Sequence, residues 1–207
     1  MGDHLADAEP QLAELTDHQR RLRRRFLQSR VVSVPQPWRP AKTPCTSVGG
    51  LQGVGFAADP ASRRDLLLVT SSDGHGLFDA VSGQKLARDR DLDPGVPCPD
   101  GDLCCPGLGP IAATSVRIAG LHGGGLHTGT RDGWLIDVVS PDWPNQRVLL
   151  SYRSDPFSGE EGATWWHIFH SRFSELRAAG FSPSGSTLVV ATSSDITVWT
   201  RERPPVA

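Results

Sequence analysis

Residues 178–200, AAGFSPSGSTLVVATSSDITVWT, constrain the fold more than any other stretch of the chain. A short apolar run ends in Gly180-Phe181, a second is closed by Thr192-Ser-Ser-Asp195, and a third ends at Val198-Trp199. The connections, Ser182-Pro-Ser-Gly185 and the segment centred on Asp195, consist of residues that accept tight backbone geometry. Three apolar runs joined by two tight turns predict a three-stranded antiparallel meander.

The same order recurs upstream. Gly53-Val-Gly-Phe56 is followed by Asp65-Leu-Leu-Leu-Val-Thr70, then by Ser-Ser-Asp73-Gly74, then by Gly76-Leu-Phe-Asp79 with Ser82-Gly83 as an exit turn. A more eroded copy runs from Thr114 to Gly120, through His122-Gly-Gly-Gly125 to Arg131-Asp132-Gly133, and ends in Trp134-Leu-Ile-Asp137. The turn aspartates Asp73, Asp132 and Asp195 lie roughly sixty residues apart, against ~40–45 for a typical repeat, so each copy carries an insertion. On these residues the chain resembles the WD-repeat β-propeller family, whose repeats run strand, F-S-P-x-G turn, strand, S-x-D-G turn, and a strand ending in Trp-Asp.

The resemblance implies an all-β fold. About three WD-repeat-like blades, near residues 51–90, 112–153 and 175–200, would form a partial propeller within residues 31–207, behind an N-terminal helix in residues 1–30. It implies an architecture and no activity. Equivalent placement in three copies predicts that Asp73, Asp132 and Asp195 are structural, each accepting hydrogen bonds within its own turn. The apolar positions Phe56, Val69, Phe78, Val116, Ile136, Phe181, Val189, Val198 and Trp199 are predicted to be buried between sheets.

Residues 10–29 predict an amphipathic helix, with Pro10 at its first position and Leu12, Leu15, Gln19, Leu22 and Phe26 on one stripe. Docking of that stripe on the body of the domain is expected, with a partner helix as the alternative. The Arg20–Arg25 cluster reads as a solvated face. A net charge of −2 and a pI near 6.4 supply no field toward nucleic acid or an anionic membrane, so nucleic-acid binding is disfavoured. No apolar run has the ~18–20 residues of a membrane span, and the acidic start does not read as a signal peptide, so a cytoplasmic location is expected. Val31-Val-Ser-Val34 predicts an edge strand, followed by a Pro-rich connector from Pro35 to Pro44. The third copy lacks an outer strand before Pro204-Pro205, and Val31–Val34 is expected to supply it beside residues 196–200. Residues 84–89 and 147–152 are the expected outer strands of the other two copies.

Ser158-x-x-Glu161 reads as a capping box, and Trp166, Phe169, Phe173 and Leu176 follow at helical spacing, which predicts a second, short helix. Trp165, Trp166, His167, Phe169, His170 and Phe173 form the candidate binding patch, with core packing as the competing reading. No metal or cofactor is expected. His167-x-x-His170 has no evident third ligand, and Cys45, Cys98, Cys104 and Cys105 contain no C-x-x-C pair, which favours free thiols, with a disulfide and then a metal site as the alternatives. His122-Gly-Gly-Gly125 is similar to an esterase oxyanion segment, but no G-x-S-x-G elbow accompanies it and no catalytic residue is assigned. Three blades are too few to surround an axis, since propellers use about four to eight. The expected function is a non-catalytic protein–protein interaction scaffold, completed by self-association or by a partner. The alternatives are an oligomeric propeller binding a small carbohydrate-type ligand and, behind it, a metal-dependent enzyme.

Overall fold

A computed structural model describes residues 15–90 and 102–202. They form a mostly β structure with one α-helix and several antiparallel sheets. Helix α1 (Asp17–Gln28) is followed by β1 (Arg39–Ser47), β2 (Leu51–Ala58), β3 (Asp65–Ser71), β4 (Gly74–Asp79) and β5 (Lys85–Asp89). Then come β6 (Cys104–Pro106), β7 (Ser115–Arg117), β8 (Ala119–Gly120), β9 (Trp134–Asp142) and β10 (Asn145–Tyr152). The chain closes with β11 (Trp165–Ser171), β12 (Leu176–Phe181), β13 (Thr187–Thr192) and β14 (Asp195–Thr200). No described helix is long and apolar enough to cross a membrane.

Three sheets stack face to face. One has the order β5-β4-β3-β2-β8, a second β11-β10-β9, and a third β1-β14-β13-β12. The third is the middle layer, because the alternating side chains of β13 enter two different cores. Leu188 and Val190 pack with Trp134, Ile136, Val148 and Leu150 of the second sheet. Val189 and Ala191 pack with Val54, Leu67, Val69 and Phe78 of the first. That is why residues 188–191 are apolar without interruption. Strand β3 is filled on both sides for the same reason: Leu67 and Val69 face the middle sheet, while Leu66 and Leu68 face Cys105, Ile111 and Val116 around the small β6-β7 sheet. The outer side of the second sheet is covered by α1, whose Phe26 packs on Leu149 and Trp165 with Leu22 beside it.

The helical stripe therefore docks on its own chain. The described helix begins at Asp17, where Thr16 accepts from the Gln19 N–H and the Gln19 side chain accepts from the Thr16 N–H in a capping box. The expected start at Pro10 lies outside the described residues.

Val31–Val34 does not cover the edge of the terminal sheet. β1 does, pairing with β14 from Arg39↔Thr200 to Ser47↔Asp195. Val32 instead donates its N–H to the His167 carbonyl (2.9 Å), which lays residues 31–34 along the free side of β11. Proline cannot donate to a ladder, but β1 is an edge strand and a register shift falls between Pro40 and Cys45, so Pro40 and Pro44 are accommodated where a central strand would refuse them.

The second sequence copy is also displaced. Ser115–Arg117 pairs with β6, and Ala119–Gly120 pairs with Gly53 and Val54 of β2. Glycine permits that approach: a Cβ on Gly120 would stand 2.1 Å from the Gln52 carbonyl oxygen. The first strand-like segment of the second sheet is instead residues 127–130, which bonds β9 through Ile136 N–H to the Thr128 carbonyl and β12 through Phe181 N–H to the His127 carbonyl. Strand 147–152 is consequently internal, with β11 beyond it.

Of the predicted core residues only Phe56 is half-exposed; the others are buried. Phe181 is completely buried and its ring lies 5.4 Å from that of Trp38. Phe181→Ala is expected to lower unfolding free energy by ~3–5 kcal/mol in urea titrations. A loss under ~1 kcal/mol would show that the core between the second and third sheets collapses around the gap.

Candidate functional site

Residues 165–171 form strand β11, not the short helix expected there. A register shift opposite Val148 and Leu149 inserts Ile168 as an extra residue: Trp165 and His167 face α1 and Ser29, while Trp166, Ile168 and, past the bulge, Phe169 face the core between the second and third sheets, so the period of two is broken at Ile168. Apolar residues on a bulged strand then fall three apart, as they would on a helix. Ser158 and Glu161 sit in the loop before it, where Ser158 donates its N–H and hydroxyl to Asp155.

The six candidate residues separate accordingly. Trp165 is fully buried, with its indole N–H donated to the Gly159 carbonyl at 3.2 Å and the Arg25 guanidinium over its ring. Trp166 and Phe169 are half-buried against the core between the second and third sheets. His167 is buried, with Nε2 3.0 Å from the Phe169 carbonyl and Nδ1 3.1 Å from Ser29 Oγ. Nδ1 also lies 3.3 Å from the Ser29 carbonyl, so either ring nitrogen, when it carries the proton, has a carbonyl to donate to. Both ring nitrogens lie within hydrogen-bond distance of Ser29 or Phe169, so the imidazole is held between the segment after α1 and β11. His170 is half-buried, and its Nδ1 accepts from Arg172 Nε at 3.1 Å. Phe173 alone projects fully, at 99% exposure in the turn between β11 and β12.

A residue outside the predicted patch joins it. Trp143, in the β9–β10 turn, is 80% exposed. Gln146 of β10 pairs with Ser171 of β11, and Asn145 with Asp142 of β9, so the Trp143 and Phe173 turns leave the same end of one sheet. The sequence signal is Pro141-Asp-Trp-Pro-Asn145, a large aromatic set among turn residues that give it nothing to pack on. Charges at this end are largely matched: Asp142 with Arg147, and Glu175 with Arg177 at 2.9 Å. Among the described residues Arg172 bonds His170 and makes no ion pair with a carboxylate, leaving this end locally basic.

The turn aspartates diverge. Asp195 accepts from Ser194 Oγ at 2.9 Å, a local bond. Asp73 is exposed in the β3–β4 turn, where its N–H is donated to Ser71 Oγ. Asp132 departs from the expectation of a bond confined to its own turn: both its oxygens accept from Arg201, at 2.5 and 2.7 Å, across 69 residues. Those bonds, the largest cause, hold its pKa down at about 2. Arg201 is buried, donates Nε to the Gly185 carbonyl at 2.7 Å and lies 4.7 Å over the Trp38 ring, so a carboxylate is needed beside it. Sequence reasoning missed the parallel tie at Asp65, which accepts from Ser184 Oγ (2.7 Å) and Thr187 Oγ1 (2.8 Å) and fastens the first sheet to the third. Cys45 and Cys104 are free thiols, and Cys105 of β6 is buried against Leu66 and Leu68; Cys98 lies outside the described residues. No protein-family model matches the chain, and neither a curated protein nor a solved structure matches it.

Burial, the largest cause, pushes the His167 pKa down to about 4. The folded value lies below the ~6.5 of an unfolded histidine, so the unfolded chain binds the extra proton. Stability from the neutral ring is complete above pH 6.5 and drains away as the pH falls toward 4; His170, also lowered by burial, acts in the same direction. Thermal melts should therefore show Tm falling between pH 6.5 and 4.5, and falling less for His167→Gln. Equal slopes for the two proteins would remove His167 as the cause.

Proposed function

We propose that the chain is a non-catalytic protein–protein interaction scaffold whose three sheets are WD-repeat-like blades. Strands β2 to β5, residues 127–130 with β9 to β11, and β12 to β14 with β1 would each be one four-stranded blade, and the β12–β14 meander carries the motif most fully. The observation that carries the binding reading is the pairing of Trp143 and Phe173 on adjoining turns, both projecting into solvent. Each ring offers roughly 150–250 Å² of surface, and at about 25 cal/mol per Å² a partner that covers both gains several kcal/mol. A large aromatic that contributes nothing to its own fold is the residue type that dominates interface energetics.

A partner of different sequence fits better than a second copy. The outer faces of the stack are already occupied, one by α1 and the other by β6, β7 and Ile111, so no bare sheet face calls for another fan of blades.

The test compares wild type with a Trp143→Ser/Phe173→Ser double variant in pull-downs from the source cell, with Tm measured for both. Both positions are solvent-exposed, so Tm should stay within a few degrees. A partner retained by the wild type and lost by the variant supports the scaffold. Identical captured sets would sink the aromatic site, and a concentration-dependent doubling of mass abolished in the variant would replace the partner with self-association.

A further inference from the structure

The β1–β2 turn arches over one face of the first sheet and, with β3, β4 and β5, lines a partly open cavity of about 130 Å³. Cross-strand pairing explains its shape. Val69, Gly76 and Arg88 stand in one row, and Phe78 and Lys85 in the next, all on the side that faces the middle sheet. His75 also borders the cavity, but Leu77, two residues along, belongs to the opposite core, so the His75 ring lies on the other side of the strand. Gly76 leaves the floor open: a Cβ there would approach Phe78 Cε2 to 3.1 Å.

The lining divides by chemistry. Val69 and Phe78 are buried and form an apolar floor, while Lys85 and Arg88 are exposed at the mouth. Lys85 Nζ stands 5.4 Å from the Phe78 ring centre. Among the described residues neither Lys85 nor Arg88 makes an ion pair. Asp73 is the acidic residue of the lining, so the mouth carries one surplus positive charge. Size, charge and floor together select the ligand. A cavity of ~150 Å³ is known to hold benzene, so there is room for one ring or a short aliphatic body. A surplus of one charge suits a monoanion better than a phosphate dianion, and paired ammonium and guanidinium donors bind a carboxylate through charge-assisted hydrogen bonds.

We propose that this cavity binds a small monocarboxylate with an apolar body, its carboxylate held between Lys85 and Arg88 and its body lying on Val69 and Phe78. Two bare cations on an edge strand also protect a sheet from unwanted pairing, and that role predicts no saturable binding. The two roles separate by titration of the full-length protein, followed by amide chemical shifts, with benzoate as the probe and benzylamine and inorganic phosphate as controls. Benzoate should shift residues of β3 to β5 and the β1–β2 turn and saturate with a Kd of about 1 mM. Lys85→Gln and Arg88→Gln, both at exposed positions and expected to fold, should each weaken benzoate about tenfold. The controls should not saturate. Failure of benzoate to saturate by ~20 mM, equal binding of benzylamine or phosphate, or undiminished affinity in both variants would each overturn the proposal.

Discussion

Everything in this molecule leans on one strand being apolar on both faces. β13 sends Leu188 and Val190 into one core and Val189 and Ala191 into another, and all four are completely buried. A strand with one polar face could anchor one sheet and no more. Because β13 serves both, the middle sheet cements its two neighbours and the outer layers need covers of their own, which α1 and the β6-β7 segment provide.

Apolar contact is indifferent to register, so polar ties set the alignment of the layers. Asp65 reaches from the first sheet to Ser184 and Thr187 of the third, and Asp132 reaches from the second to Arg201 at the end of β14. In both cases a half-buried or buried group would be left unsatisfied if the sheets slid past one another, and that penalty outweighs the modest net gain of the bond itself. Arg201 is also the nearest thing to a keystone: one guanidinium bonds a turn of the second sheet, the β12–β13 turn through Gly185, and the Trp38 ring that leads into β1.

This arrangement leaves function to ends and turns. Sheet faces are spent on packing, so exposed chemistry concentrates where strands reverse: Trp143 and Phe173 at one end of the second sheet, and the arch of the β1–β2 turn over Lys85 and Arg88 on the first. The two places lie on different sheets and share no residue, so each can be altered without the other. His167 belongs to neither. Its engaged nitrogens hold Ser29 and thereby the approach from α1 to β1 against β11, a structural task for a residue whose motif suggested a ligand.

The sequence by itself determined the local order. Apolar runs closed by Ser-Pro-Ser-Gly185 and by Thr192-Ser-Ser-Asp195 specify the hairpins of β12 to β14, and the Phe56 to Asp79 copy specifies β2 to β4, because turn chemistry and strand propensity act over a few residues. The same locality placed Phe181, Val189 and Trp199 in the core. Tertiary structure decided what neighbours cannot: that a Pro-rich segment serves as the edge strand β1, since only its position beside β14 leaves its missing N–H groups harmless; that residues 119–120 join β2, since glycines on both strands let the backbones meet; and that β11 is a strand, since the bulge at Ile168 disguises its period. It also decided which aromatics are available. Trp165 and Phe173 read alike along the chain, but one meets Phe26 of a helix more than a hundred residues away and the other meets only solvent, and burial is a property of those distant contacts.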